Sequence, residues 1–187
     1  FMPSTPKKEH PRRRHTPKGV TILYDDRDII VVDKPAGLLT IGTDRIRENT
    51  LYYMLTDYVR KGNSKSRERV FIVHRLDRDA SGILVFAKSE EAKQYLQTNW
   101  KEAEKKYLAV VHGKLRPKEG TITSYLIENK GLVVHSTQDT TKGLLSHTAY
   151  KVLEETGRYG LVEIDLLTGR KNQIRVHLAD KGHPIVG

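Results

Sequence analysis

The sequence predicts an α+β fold with a mostly antiparallel sheet. Short β-rich runs outnumber helical ones, neighbouring runs are joined by hairpin-like links, and the helical segments are scattered among the strands without a regular alternation. The chain has 187 residues, 37% of them hydrophobic and 30% charged, enough for one domain with its own core and a large polar surface.

Residues 1–18 hold four of the seven prolines, almost no apolar side chains, and six Lys or Arg against Glu9 alone. They read as a disordered basic tail, so the folded domain is expected over 19–187. Met2, behind Phe1, is the expected native start. Residues 20–24 and 29–33 are β-rich and linked by Asp25-Asp26-Arg27-Asp28, which suggests a hairpin. Lys34-Pro35-Ala36-Gly37 then breaks the strand. Thr50 can cap a helix whose apolar face is Leu51, Met54, Leu55, Tyr58 and Val59, with Gly62 at its stop. A polar basic loop follows over 61–69. After a strand at 83–87, Ser89 can cap a second helix, with Glu90 and Glu91 in its first turn complementing the macrodipole. Its predicted apolar stripe is Ala92, Tyr95, Leu96, Trp100 and Ala103. Further strands are expected at 107–112, 121–127, 132–135, 147–153 and 161–167. A last helix is expected over 172–180, with Ile174 and Leu178 one turn apart and facing the core.

Net charge is +10, from 33 Lys and Arg against 23 Asp and Glu. Half of it falls in the first 18 residues. A second basic cluster is Arg60, Lys61, Lys65, Arg67 and Arg69, opposed by Glu68. Such charge attracts phosphate polymers through counterion release, and would attract acidic membrane surfaces too. The chain has no cysteine, which excludes disulfides, zinc-thiolate sites and thiol catalysis and fits a reducing compartment. No apolar run approaches the roughly 18 residues that span a bilayer, and no signal-peptide pattern is present. A cytoplasmic location is expected, with no membrane partner.

The stretch 73–88, Val-His-Arg-Leu-Asp-Arg-Asp-Ala-Ser-Gly-Ile-Leu-Val-Phe-Ala-Lys, carries most of the chemistry. Asp77 lies among His74, Arg75 and Arg78, and neighbouring cations favour the charged form of a carboxylate. Such a group can serve as nucleophile or base toward a polyanion. Three more stretches are chemically suggestive: Asp33-Lys34-Pro35-Ala36-Gly37, Lys105-Lys106-Tyr107-Leu108-Ala109-Val110, and Thr168-Gly169-Arg170-Lys171-Asn172-Gln173-Ile174-Arg175-Val176-His177. Each alone has an ordinary explanation as a turn, a strand tyrosine or a surface-helix arginine.

Competing readings are weaker. Asp77-Arg78-Asp79 is a DxD tripeptide, but flanking arginines disfavour a metal cation. His-Arg-Leu-Asp lacks the other kinase elements. The eight histidines show no i, i+4 pair that would ligate a metal. Ser81 and His74 lack a nucleophile elbow.

Together, in this order, the four stretches resemble the motifs of the RluA-type pseudouridine synthases, which isomerise uridine in RNA. The likeness runs from Val20 to Gly187. It departs at Ala80, where the family usually has Thr, and at Asn172, where it usually has His. The resemblance implies a long, bent, mixed sheet flanked by helices with a central RNA cleft, no cofactor, and RNA (rRNA or tRNA) as partner. A monomer with no obligatory protein partner is expected. It also implies catalytic roles for Asp77, Arg175 (paired with the Asp) and Tyr107 (stacked on the base), and RNA contacts from His74, Arg75, Arg170 and Lys171. The family pattern continues past Gly-His-Pro-Ile-Val-Gly, so the C-terminal end is expected to be missing. A non-catalytic RNA-binding or chaperone protein on the same fold stays open.

Overall fold

A computed structural model describes residues 16–42 and 48–187. They divide into two compact units, one ending at Thr98 and the other running from Asn99 to Gly187. Most of the expected basic tail, residues 1–15, lies outside the described residues.

The first unit holds strands β1 (Thr21–Asp25), β2 (Ile29–Lys34), β3 (Phe71–Ile72) and β4 (Gly82–Ala87), with helices α1 (Leu51–Arg60) and α2 (Glu90–Thr98). The sheet order is β1-β2-β4-β3, every pair antiparallel. The expected hairpin forms because the Asp26 carboxylate accepts from the Asp28 and Ile29 amides, both at 2.8 Å. Those bonds, Ile29 first, hold the Asp26 carboxyl below the usual carboxylate range. In β2 the alternation buries Ile30, Val32 and Lys34 on one face. Two apolar residues and a lysine thus share the core side of the central strand.

Helix α1 starts where expected. The Thr50 side chain accepts from the Tyr53 amide at 3.3 Å, and Leu51, Leu55 and Tyr58 are buried. It ends with left-handed backbone at Lys61 and Gly62. Helix α2 is capped by Ser89, whose Oγ accepts from the Ala92 amide at 3.1 Å. Its predicted stripe, however, does not form a buried face within this unit. No α2 residue is buried, Tyr95 is 71% exposed, and the helix gives way to a 3-10 turn at Trp100–Glu102. The helix packs on β3 and β4, and Gln97 Nε2 donates to the carbonyls of Ile72 and Val73.

The second unit is a five-stranded antiparallel sheet, β5 (Lys106–His112), β6 (Glu119–Glu128), β7 (Val134–Thr137), β8 (Leu144–Thr156) and β9 (Tyr159–Leu166), in the order β5-β9-β8-β6-β7. Helix α3 (Gln173–Asp180) lies against β6, β7 and β8. Its core joins Val111, Leu115, Ile122, Tyr150, Val162, Ile164 and Leu178, with Tyr107 and Ile174 packed against them. After α3 the chain returns along β5, where His112 N donates to Pro184 O and Val186 N to Val110 O. The strand expected from residue 132 starts two residues later. Leu132 has φ 62°, inside a turn in which Asn129 Oδ1 accepts from the Gly131 and Val133 amides. Among the described residues no helix is long and apolar enough to cross a membrane.

Candidate active site

The Asp77 loop, residues 73–81, links β3 to β4. Its entry is tied down by His74, whose Nε2 accepts from the Val85 amide at 3.1 Å. Leu76 is buried, and its carbonyl accepts from Thr40 Oγ1 at 2.8 Å. On the other side of Asp77, the Arg78 carbonyl accepts from Lys34 Nζ at 3.0 Å and from the Gly37 amide at 2.8 Å. Arg78 Nε returns a bond to Gly37 O at 3.2 Å. The half-buried carboxylate therefore stands on backbone whose two flanking carbonyls are both latched. Asp77 O also accepts from the Ala80 amide at 3.3 Å, so the turn at Ala80 forms through backbone. Arg75, Arg78 and Asp79 are exposed around it.

Lys34 is the residue that sequence reading passed over. Its side chain is fully buried. Its ammonium donates to the carbonyls of Pro35 (2.9 Å), Leu38 (2.7 Å) and Arg78 (3.0 Å). One cation thus satisfies three carbonyls of two loops, using all three of its donors. Burial pushes its pKa below the ordinary lysine range, and the charges of Asp79 and then Asp77 oppose that shift. Gly37 has φ +84°, a conformation that favours glycine. The signal for both residues was the Asp-Lys-Pro-Ala-Gly string, readable as a turn but not as a latch.

In the second unit, Tyr107 lies on β5, half-buried against the core that also packs Ile174. Arg175 is half-buried on α3, one position past Ile174, while Leu178 is fully buried, as the helical spacing requires. Asn172 precedes the helix in a left-handed conformation (φ 54°), which Asn tolerates better than most residues. Arg170 is exposed, its backbone amide donating to Gln173 Oε1 at 3.0 Å. Lys171, expected to touch RNA, forms an ion pair with Glu128 and donates to Leu132 O at 3.2 Å.

Gln173 and His177 belong to the same motif and had no role assigned from sequence. Both are buried and link α3 to the sheet. Ser136 Oγ donates to the Asp180 carboxylate at 2.5 Å, so Ser124 Oγ donates to Ser136 at 3.0 Å. His177 Nε2–H then donates to Ser124 (3.0 Å), and Nδ1 accepts from Thr148 Oγ1 (2.9 Å), which itself accepts from Gln173 Nε2 at 2.9 Å. Gln173 Oε1 accepts from Thr168 Oγ1 at 2.9 Å. A neutral imidazole protonated at Nε2 satisfies every bond in this chain. Burial lowers the His177 pKa, Asp180 opposes the shift, and His147 adds to it.

The sign follows. The unfolded chain binds a proton at His177 near the ordinary imidazole pKa of about 6.5, while the folded chain resists it, so this contribution to stability is full above that pH and declines as pH falls below it. Thermal unfolding between about pH 8 and pH 5 should therefore show a steeper acid loss in the wild type than in His177→Gln. Parallel curves would refute the assignment.

A family model described as RNA pseudouridylate synthase matches residues 28–180. The chain belongs to the RNA pseudouridylate synthase family. The matched span includes both the Asp77 loop and the segment bearing Arg175. The sequence is 37% identical over 172 residues to an uncharacterized RNA pseudouridine synthase of Bacillus subtilis, covering 89% of this chain and 55% of the relative. It is 36% identical over 170 residues to the ribosomal large subunit pseudouridine synthase D of Nitrosomonas europaea, covering 89% and 48%. It spans about half the length of the curated relatives it matches. Among solved structures, human RNA pseudouridylate synthase domain containing 4 superposes with a TM-score of 0.74 at 25% identity, covering 89% of this chain and 67% of that one. The pseudouridine synthase fold, α+β with antiparallel sheets, is thus established for this chain.

Proposed function

We propose that this synthase-family chain isomerises specific uridines to pseudouridine in structured RNA, with Asp77 as the reacting carboxylate. The observation that carries this reading is the fixing of Asp77 on both sides, through Leu76 O and Arg78 O, within the matched span. A nucleophile held by its own backbone reacts without first losing conformational freedom. The reaction breaks the C1′–N1 bond, turns the base, joins C1′ to C5, and releases the C5 proton while N1 takes up a proton in its place. The base stays on the same RNA, so atoms balance without a cosubstrate. Asp77 attacks C1′, adds to C6 or removes the C2′ proton, and each of these three routes uses an oxygen of its carboxylate.

In this reading Arg175 pairs with and aims the carboxylate. Tyr107 offers a ring for the extruded base, where stacking contributes about 1–3 kcal/mol regardless of base identity. Arg75, exposed two residues before Asp77, contacts the RNA beside the flipped nucleotide, and Arg170 and Lys171 contact its backbone. Ribosomal RNA and tRNA are both candidate substrates. Ribosomal RNA is the first to test, a choice supported by the relative named for the ribosomal large subunit.

The test is tritium release. RNA carrying uridine tritiated at C5 should lose tritium to water on incubation with the chain, and the digested product should contain pseudouridine. Tight binding to cellular RNA with no release from any of it would favour the non-catalytic reading, and free uracil would indicate hydrolysis instead.

A further inference from the structure

We infer that the first unit carries a second RNA-contact site, a basic hollow that holds backbone phosphates of the RNA whose uridine sits at the Asp77 loop. This rests on the RNA reading above. The hollow, about 640 Å³, is walled by Arg60, Arg67, Arg69 and Lys88, with Phe71 and Glu68. A smaller one, about 280 Å³, shares Arg69 and Phe71 with it.

The cations are presented by ordered backbone. Past α1 the chain turns through bonds from Asn63 N to Arg60 O, Ser66 N to Asn63 O, and Lys65 N to Asn63 Oδ1. Glu68 N donates to Ser66 Oγ, and Arg60 Nε to Glu68 O at 2.8 Å. The Arg69 guanidinium lies 4.8 Å from the centre of the half-buried Phe71 ring, which fixes its plane. Lys88 is ion-paired with Asp25 and contributes little net charge. Arg67 and Arg69 are exposed, and neither forms a salt bridge among the described residues. Two exposed arginines without carboxylate partners among the described residues, one of them held over Phe71, are suited to phosphate oxygens.

The position sets the spacing. Gly82, where β4 leaves the Asp77 loop, pairs with Lys34, and Ala87 pairs with Phe71 at the hollow. Five strand steps, about 17 Å at roughly 3.4 Å each, separate Gly82 from Ala87, so the hollow lies at the opposite end of β4 from the exit of the Asp77 loop.

The experiment measures binding of the full chain to a labelled oligouridylate of about sixteen nucleotides, between about 50 and 200 mM salt. Each lost phosphate contact on a single strand removes about 0.7 from the slope of log affinity against log salt. The double variant Arg67→Ala/Arg69→Ala should flatten the slope by about 1.4 and weaken low-salt binding about tenfold. Arg67→Lys/Arg69→Lys should keep the slope, and Glu68→Gln should tighten binding about twofold by removing an opposing charge. An unchanged slope in the alanine variant overturns the proposal. So does a loss confined to phosphatidylserine vesicles, which would assign the hollow to a membrane surface. None of these readouts needs turnover, so failure of tritium release would sink the catalytic reading and leave this one standing.

Discussion

Asp77→Asn should lower tritium release from C5-tritiated uridine RNA by at least about 10⁴-fold, the scale seen when a reacting group is removed from a preformed site. The substitution is nearly isosteric. The bonds that shape the loop run through the carbonyls of Leu76, Asp77 and Arg78 and through the Ala80 amide, none of which belongs to the Asp77 side chain. Those backbone bonds are kept, so RNA affinity should stay close to wild type, which separates lost chemistry from lost structure. All three routes open to Asp77 require an anionic oxygen, which an amide cannot supply, so the prediction does not depend on which is followed. Residual release above about 1% of wild type would move the chemistry to another residue.

Much of this architecture is legible in the sequence because it is local. The hairpin follows from an Asp-rich link whose Asp26 folds back on two amides. Helix α1 follows from Thr50 and a stripe at 3.6 spacing, and α3 from Ile174 and Leu178. What escapes is set by distant partners. The spacing of Tyr95, Trp100 and Ala103 describes an apolar stripe, yet the helix stops at Thr98 and Tyr95 is exposed. Nothing at Thr98-Asn99 marks a boundary, since neither Pro nor Gly occurs there. The candidate site divides in the same way. Asp77, Tyr107 and Arg175 are found as motif residues. The groups that hold their backbones, Lys34, Thr40, Gln173 and His177, show their role only when carbonyls and hydroxyls tens of residues away are brought beside them.

Lys34 offers the sharpest case, and Lys34→Met should cost about 3–5 kcal/mol of stability. Methionine matches the length of the aliphatic stem and is helped by an apolar surrounding, so packing on the β2 core face is largely kept. The ammonium is lost, and the carbonyls of Pro35, Leu38 and Arg78 lose a donor. A buried acceptor left unmet costs about 1–3 kcal/mol. The Arg78 carbonyl keeps the Gly37 amide, so the penalty falls mainly on Pro35 and Leu38. The charge matters as well as the hydrogen bonds, because Lys34 is the buried cation that feels Asp79 and Asp77. Removing it takes away a positive charge that both carboxylates feel, so the loop should open locally before the rest of the unit unfolds. Amide exchange should accelerate at Gly37 and Ala80, whose N–H groups close this turn, while Ile30 and Val32 in β2 stay protected. Tritium release should fall with it, and Lys34→Arg should not restore it, since a guanidinium is too large for a space enclosed by three carbonyls. A Lys34→Met chain with wild-type melting temperature and wild-type exchange at Ala80 would show that the latch contributes nothing to holding Asp77.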